Sequence, residues 1–239
     1  MKRIVKDRNK LIDRVDETIL ADEEKVKENI QAIKEVLEKK KELTCLCGPQ
    51  IGLPTRIVCL KFDDGIRTFI NPMIKRSKGI HLSREKNICL GDKEYLIPRH
   101  EEIEVIYQIP TGKIEVNVFK GYAADLFQQM LHMLDGVLLD DFGLELIEGW
   151  DEASDEERQE VIEYYLEDLK NYNKEMQDII NSDENLRHQN TSIDYTAQLL
   201  AGNLTLYSEE EKPKLNREQR RKLDKVQRKV RSLSDATRL

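Results

Sequence analysis

The region between residues 56 and 120 restricts the fold most, because it consists of short runs rich in β-branched residues. The last two runs are separated by Pro110, Thr111 and Gly112, where proline sets φ for a turn and glycine tolerates a positive φ. Such a sequence is typical of a β-hairpin. We therefore predict several mostly antiparallel strands, in the runs RIVCLKF (56–62), RTFINPMI (67–74), EEIEVIYQI (101–109) and KIEVNVFKG (113–121).

Helices are predicted on both sides of these strands. Between Ala21 and Leu43 apolar residues recur at spacings of four, three and four, as in an amphipathic helix that packs one face on a core. These residues are Val26, Ile30, Ile33 and Leu37. A second helix is predicted over residues 121–140. The order of helix, strands and helix indicates an α+β fold.

A third helix is predicted beyond residue 150. Ser154 and Glu157 match a capping box, and a narrow apolar seam then continues to Asn181 at three-four spacing. The seam either packs on the body of the protein or forms a coiled coil with a partner or a second copy. It consists of Ile162, Tyr165, Leu169, Tyr172, Met176 and Ile179.

Charge divides the chain into three parts. The net charge is −7, but residues 151–211 carry −13 and residues 212–239 carry +8. We predict a folded domain over 1–150, an acidic helical extension over 151–211 and a basic amphipathic C-terminal helix over 212–239. The basic helix is a candidate binding segment for RNA phosphates, for a protein or for the chain's own acidic segment. Its candidate binding residues are Arg217, Arg220, Arg221, Lys222, Lys225, Arg228 and Lys229.

The location follows from two further features. No run approaches the roughly 18 apolar residues that a membrane span requires, and no early stretch resembles an export signal. We therefore expect no membrane contact and a cytoplasmic protein. Its four cysteines should be reduced and mostly buried; they are Cys45, Cys47, Cys59 and Cys89.

Several motifs resemble those of the peptide deformylase family. Over about residues 3–146 they occur in the family's order: LTCLCGPQIGLPTRIVCL, FINPMI, NICLG, YLIPRHEEIEVIY and QQMLHMLDG. The resemblance implies a deformylase-like core of mostly antiparallel strands around a central helix, here followed by a long helical extension.

The resemblance also assigns roles to residues. In that family one cysteine and two histidines hold a ferrous or substituted ion, whose bound water attacks the formyl carbon while a glutamate moves the proton. These roles fall on Cys89, Gln129, Met133 and, for the glutamate, Met130. An amide and a thioether are weak ligands for Fe²⁺ or Zn²⁺, and a thioether cannot accept a proton. The family's oxyanion donors fall on the Gln50 amide and the backbone N–H of Leu90. We expect no metal and no cofactor.

The sequence therefore predicts a catalytically inactive deformylase-like protein that acts as a binding, structural or assembly component through its C-terminal helices. The expected partner is the ribosome or a phage-type protein assembly, and a homo-oligomer is a further expectation. The source would be bacterial, or a phage whose virion carries the protein. Three alternatives stay open: a residual deformylase with Fe²⁺ or Zn²⁺, a rebuilt metal site containing Cys89 and His132, and a cysteine hydrolase that uses Cys89 with His132 as its base.

Overall fold

The computed structural model describes residues 2–16, 18, 20 and 22–182, with side chains to residue 171. The chain divides into two compact units, Met1–Leu146 and Ile147–Leu239. The basic helix predicted after Asn216 and its seven candidate binding residues lie outside the described residues. The boundary predicted between residues 211 and 212 therefore stays a prediction.

Within its described residues, the first unit contains two antiparallel sheets, three α-helices and two short 3-10 helices. In chain order the elements are α1 (Glu23–Lys39), β1 (Cys45–Cys47), β2 (Ile57–Phe62), β3 (Gly65–Lys78), β4 (His81–Lys86), β5 (Glu94–Arg99), β6 (Glu102–Gln108), β7 (Ile114–Lys120), α2 (Tyr122–Leu134), α3 (Leu139–Phe142) and β8 (Leu144–Leu146). The larger sheet has the strand order β1-β2-β3-β6-β7 and the smaller one β4-β5-β8. All of their strand pairs are antiparallel. The predicted α+β fold is confirmed.

Helix α1 covers part of the outer face of the larger sheet. It begins after Asp22, whose carboxylate accepts a hydrogen bond from the backbone N–H of Lys25 at 3.1 Å. Its apolar stripe, which includes Ile33 and Leu37, packs on the outward residues of the first three strands, such as Ile57 and Ile70. The stripe predicted from the spacing is thus confirmed as a core face.

Helix α2 packs on the inner face of the larger sheet, where aromatic rings fix its position. Phe127 of the helix lies in an edge contact with Phe69 at 4.9 Å and stacks on Phe119 at 4.8 Å. The opposite side of α2 carries polar residues that hydrogen-bond with β4 and β5 of the smaller sheet. The helix is therefore held between the two sheets, at the centre of the unit.

The prediction that this helix continues to Asp140 is wrong, since α2 ends at Leu134. Gly136 has φ +75°, a left-handed conformation that ends the helix, and α3 begins only at Leu139. The apolar run Val137, Leu138 and Leu139 continues the helical pattern in sequence and therefore hides the break.

The N-terminal segment is fastened to the end of α2 by backbone and side-chain hydrogen bonds. The backbone N–H of Val15 donates to the Leu134 carbonyl at 2.9 Å. Arg56 adds a hydrogen bond from Nη1 to the Val15 carbonyl at 3.1 Å and an ion pair with Asp135 at 2.7 Å. These contacts bring the segment close to the turn at Gly136.

The second unit contains α4 (Asp155–Ser182) within the described residues. The predicted capping box is confirmed: Glu157 N donates to Ser154 Oγ at 3.2 Å, and Ser154 N donates to Glu157 Oε2 at 2.9 Å. No helix among residues 2–182 combines the length and the apolar composition that crossing a membrane requires.

We predict that Gly136→Ala destabilises the fold more than Gly91→Ala. Both glycines have a positive φ, +75° and +82°, so both variants pay about 1–2 kcal/mol for the left-handed backbone. A Cβ at residue 136 would also lie 2.2 Å from the Ile12 carbonyl oxygen, whereas one at residue 91 has nothing within 4 Å. Moving the N-terminal segment away should cost a further 1–3 kcal/mol or so. Chemical denaturation of both variants measures the difference, and equal losses would contradict this account.

Candidate functional site

The candidate site lies where α2 faces β4 and β5, because three polar side chains of the helix are buried there. Gln128, Gln129 and His132 are all almost completely buried. The side chain of Gln128 pairs with the backbone of His100, accepting from its N–H at 2.9 Å and donating to its carbonyl at 3.0 Å. This amide thus continues the hydrogen bonding of β5 onto the helix.

Gln129, at a position that the resemblance assigns to a metal ligand, is bound to the smaller sheet. Its Nε2 donates to Glu85 Oε2 at 2.8 Å and to the Lys86 carbonyl at 3.2 Å. Its Oε1 lies 3.5 Å from Nδ2 of Asn87. Both ends of the amide are therefore occupied by protein groups.

A buried ion pair lies beside Gln129. Arg99 donates from Nε and Nη2 to the two carboxylate oxygens of Glu85, at 2.7 and 2.8 Å. The Arg99 side chain is 0% exposed and that of Glu85 is 7% exposed. Because side chains alternate along a strand, Glu85 of β4 and Arg99 of β5 project to the same face of the smaller sheet. That face is the one that meets α2.

His132 contacts the same arginine. Nη1 of Arg99 lies 3.1 Å from Nδ1 of His132. A guanidinium only donates hydrogen bonds, so Nδ1 is the accepting nitrogen of a neutral imidazole. Burial, together with the charge of Arg99, lowers the pKa of His132 well below its usual value. The ring also lies edge-on to Phe142, with centroids 5.1 Å apart.

The oxyanion position Gln50 is joined to this network through Asn87. Gln50 Nε2 lies 3.4 Å from Asn87 Oδ1, which also accepts from the backbone N–H of Cys89 at 2.9 Å. Gln50 Oε1 accepts from the backbone N–H of Cys47 at 3.0 Å. The Gln50 amide thus serves buried backbone and side-chain groups, while Leu90 is partly buried against the apolar core.

The remaining site positions belong to the hydrophobic core. Cys89, Met130 and Met133 are buried in one apolar cluster with the larger sheet. Burial raises the pKa of the Cys89 thiol to about 11 and that of Cys47 well above its usual value, so both are protonated at neutral pH. Among the described residues, no group of three or more His, Cys, Asp or Glu side chains is arranged to hold a metal ion.

The structure brings together Gln50, Asn87, Gln129 and His132, but their connecting ion pair was not among the sequence predictions. Glu85 and Arg99 lie in strands that sequence analysis did not assign. The sequence did contain a signal for this pair. The side chains of β4 that face α2 include one negative charge, Glu85, and those of β5 include one positive charge, Arg99. The predicted metal alternative of Cys89 with His132 stays a prediction.

Comparison with known proteins gives a consistent result. The family model for polypeptide deformylase matches residues 1–142. The chain is 29% identical to a peptide deformylase of Symbiobacterium thermophilum over 121 residues, which cover 49% of this chain and 56% of that protein. It is 32% identical to a peptide deformylase of Thermotoga petrophila over 102 residues, covering 40% and 59%. The chain thus spans rather more than half of the length of these relatives.

Solved structures resemble the same region. The crystal structure of peptide deformylase from Thermotoga maritima matches with a TM-score of 0.55 and 27% identity, covering 59% of this chain and 96% of that one. A probable peptide deformylase from Synechococcus phage S-SSM7 shares the fold with a TM-score of 0.54 at 23% identity, covering 59% and 99%. Since the family model matches more than half of the chain, this protein belongs to the polypeptide deformylase family.

Proposed function

We propose that this protein is a deformylase-family member without deformylase activity, which acts by binding other macromolecules. One observation carries the proposal: the positions that correspond to the family's ligands and proton carrier are engaged in packing or in buried hydrogen bonds. Gln129 hydrogen-bonds to Glu85 and the Lys86 carbonyl, while Met130 and Met133 lie in the apolar core.

The donor set does not fit the family's metal. The three positions offer a protonated thiol at Cys89, an amide at Gln129 and a thioether at Met133. The thiol must lose its proton before it can bind a metal ion, and the amide and the thioether are weak ligands. Coordination by Gln129 would also remove its hydrogen bonds to Glu85 and Lys86. Buried polar groups that lose their partners cost about 1–3 kcal/mol each. Both effects oppose Fe²⁺ or Zn²⁺ at this position.

The pKa values also argue against the cysteine hydrolase alternative. A catalytic thiolate beside an imidazolium needs a lowered pKa on the cysteine and a raised pKa on the histidine. Burial acts in the opposite direction on both residues, raising the pKa of Cys89 and lowering that of His132. The neutral forms of both groups are therefore favoured.

The Glu85–Arg99 pair is proposed to hold α2 on the smaller sheet, as a metal ion could otherwise do. It connects to the helix through Gln129 on the carboxylate side and through His132 on the guanidinium side. Two charges buried together are stable only when their hydrogen bonds are complete. The network therefore fixes the helix without any ion.

Binding is proposed to occur through the C-terminal region, with the ribosome or a protein assembly as partner. Its support is the sequence itself: residues 212–239 carry a net charge of +8 beside an acidic segment of −13. The four described cysteines are all buried free thiols, which supports the predicted location in a reducing cytoplasm.

Glu85→Gln should lower the free energy of unfolding by about 3–5 kcal/mol, because it leaves the Arg99 charge buried without a carboxylate. Arg99→Gln should act similarly, and the double variant should lose less than the two single losses combined. Glu145→Gln is the matched control, since its pair with Lys93 at 2.9 Å is solvent-exposed and should contribute only about 0–1 kcal/mol. The free energy of unfolding of all four variants is compared through their chemical denaturation curves. A Glu85→Gln loss no larger than the control would exclude a structural role for the pair.

Purified protein should contain substoichiometric iron and zinc and should not hydrolyse formyl-methionyl peptides. Loss of the proton carrier alone accounts for about 10²–10⁴ in rate, and the amide and thioether ligands reduce metal occupancy as well. Elemental analysis and a formate-release assay measure both quantities. The matched variant Gln129→His/Met133→His should take up more Zn²⁺ than the unmodified chain, since it provides a Cys-His-His set. Stoichiometric metal and turnover in the unmodified chain, both lost in Cys89→Ala, would refute the proposal.

Removal of the residues after Lys212 should abolish co-sedimentation with ribosomes, and raising the salt concentration should weaken it steeply. Phosphate contacts made by lysine and arginine release counterions, so about 6–10 contacts lose about 10³–10⁵ in affinity between roughly 50 and 200 mM salt. Arg220→Gln/Arg221→Gln/Lys222→Gln should bind less tightly and with a smaller salt slope. Binding that depends on the tail but not on salt would indicate a protein partner, and binding that survives the deletion would exclude the tail.

A further inference from the structure

Within the part of the chain that the structure describes, the outer face of the larger sheet is covered over only part of its area. Helix α1 packs over the β1–β3 part of this face. The neighbouring part, formed by β6 and β7, exposes three β-branched side chains of β7: Ile114 is 59%, Val116 45% and Val118 51% exposed. Met73 of β3, at 58% exposed, lies in the same cross-strand row as Ile106 and Val116. Exposed apolar side chains thus line the edge of the sheet at β7, which pairs with no further strand among the described residues.

Between Ile114 and Val118, the outward side of strand β7 lacks the charges that usually protect an edge strand; Glu115 lies on the inward side, where it contacts Tyr107. In single proteins such strands are short, charged, bulged or interrupted by proline, because a regular free edge pairs with other chains. β7 has seven residues without proline and keeps an unbroken register with β6 from Ile114 to Lys120. Its outward side chains Ile114, Val116 and Val118 are apolar, and the outward row ends at Lys120.

The other sheet edges in the described part of the chain do have such protection. β1 and β8 contain only three residues each. β4 is longer, but its outward row includes exposed Arg84 and Lys86. Of these four edges, β7 alone is long, regular and apolar on its outward side.

The sequence of β7 is complementary to itself in one antiparallel register. When Val116 lies opposite Val116 of a second copy, Ile114 lies opposite Val118 and the reverse, so all three outward pairs are apolar. In the same register Glu115 lies opposite Asn117, which places an amide beside a carboxylate.

Charge also fits this register. Lys113 falls opposite Phe119 and Lys120 opposite Gly112, so no like charges face each other directly. Shifting the centre to residue 117 would place Ile114 opposite Lys120, and shifting it to residue 115 would place Val118 opposite Gly112. The register centred on Val116 is therefore the one that matches apolar residues throughout.

We propose that β7 is a dimerisation strand, which pairs antiparallel with β7 of a second copy about a two-fold axis at Val116. The two five-stranded sheets then form one continuous sheet, and the paired backbones satisfy each other's free edge groups. This inference is independent of the catalytic state of the site and of the C-terminal tail.

The test uses the full chain in sedimentation-velocity and light-scattering measurements over a wide range of concentrations. The unmodified protein should be dimeric. Val116→Lys and Val116→Glu should each raise the dimer dissociation constant by about tenfold or more, since each places two like charges opposite one another at the axis. An equimolar mixture of the two variants should form heterodimers, because lysine then faces glutamate. This recovery also shows that both variants are folded.

Met73→Lys is the matched control, since it adds a charge to the same apolar face two strands away from the edge. It should leave the dimer unchanged. A Met73→Lys effect as large as that of Val116→Lys would mean that the copies pack face to face, which overturns strand pairing. A monomeric unmodified chain, dimerisation insensitive to Val116→Lys, or a mixture that does not recover would each overturn the proposal as well.

Discussion

The buried pairing of Arg99 with Glu85 is the interaction on which the arrangement of the first unit depends. It joins β4 to β5, and through Gln129 and His132 it also joins the smaller sheet to α2. Removing two charges from water costs several kcal/mol per ion. The pair is stabilised because both carboxylate oxygens and each nitrogen of the guanidinium make a polar contact. This requirement restricts the residues around it. An amide at 129 can donate to the carboxylate and accept from Asn87, and a neutral imidazole at 132 can accept from the guanidinium.

That restriction determines the chemistry of the interior. A dry environment favours neutral forms, and burial accordingly raises the pKa of Cys89 and Cys47 while it lowers that of His132. Hydrolytic chemistry requires a charged or polarised group that can reach a substrate and exchange protons with it. Here the polar side chains are used to connect secondary-structure elements, and the sulfur-containing ones fill apolar space. The same helix position can therefore serve structure or catalysis, but its hydrogen-bonding groups are not available for both.

Sequence analysis could predict those parts of the fold in which residue spacing and burial follow the same period. The stripe of α1 and the turn at residues 110–112 are of this kind, and so is the capping box at Ser154. The smaller sheet was missed because its inward rows contain Glu85 and Arg99, and charged residues in alternation ordinarily indicate a solvent-exposed face. The end of α2 was placed too late because the apolar residues 137–139 extend the helical pattern beyond Gly136. In the site, Gln50 and Gln129 both contact Asn87. The ion pair of Glu85 and Arg99 beside them depends on long-range contacts that no local sequence pattern contains.

The buried region around Gln50 and Gln129 and the exposed edge of β7 therefore differ in the binding free energy that they offer to a ligand. A ligand entering near Gln129 and Gln50 would have to replace hydrogen bonds that the amides already make with Glu85, Asn87 and Cys47. Exchanging one satisfied partner for another yields little net free energy, about 1 kcal/mol or less for each bond. At the β7 edge, by contrast, covering apolar surface yields about 25 cal/mol for each Å² removed from water, and no buried polar group has to be separated from its partner first. On this physical basis, covering the apolar edge of β7 offers a larger gain in free energy than displacing the hydrogen bonds that Gln50 and Gln129 already make.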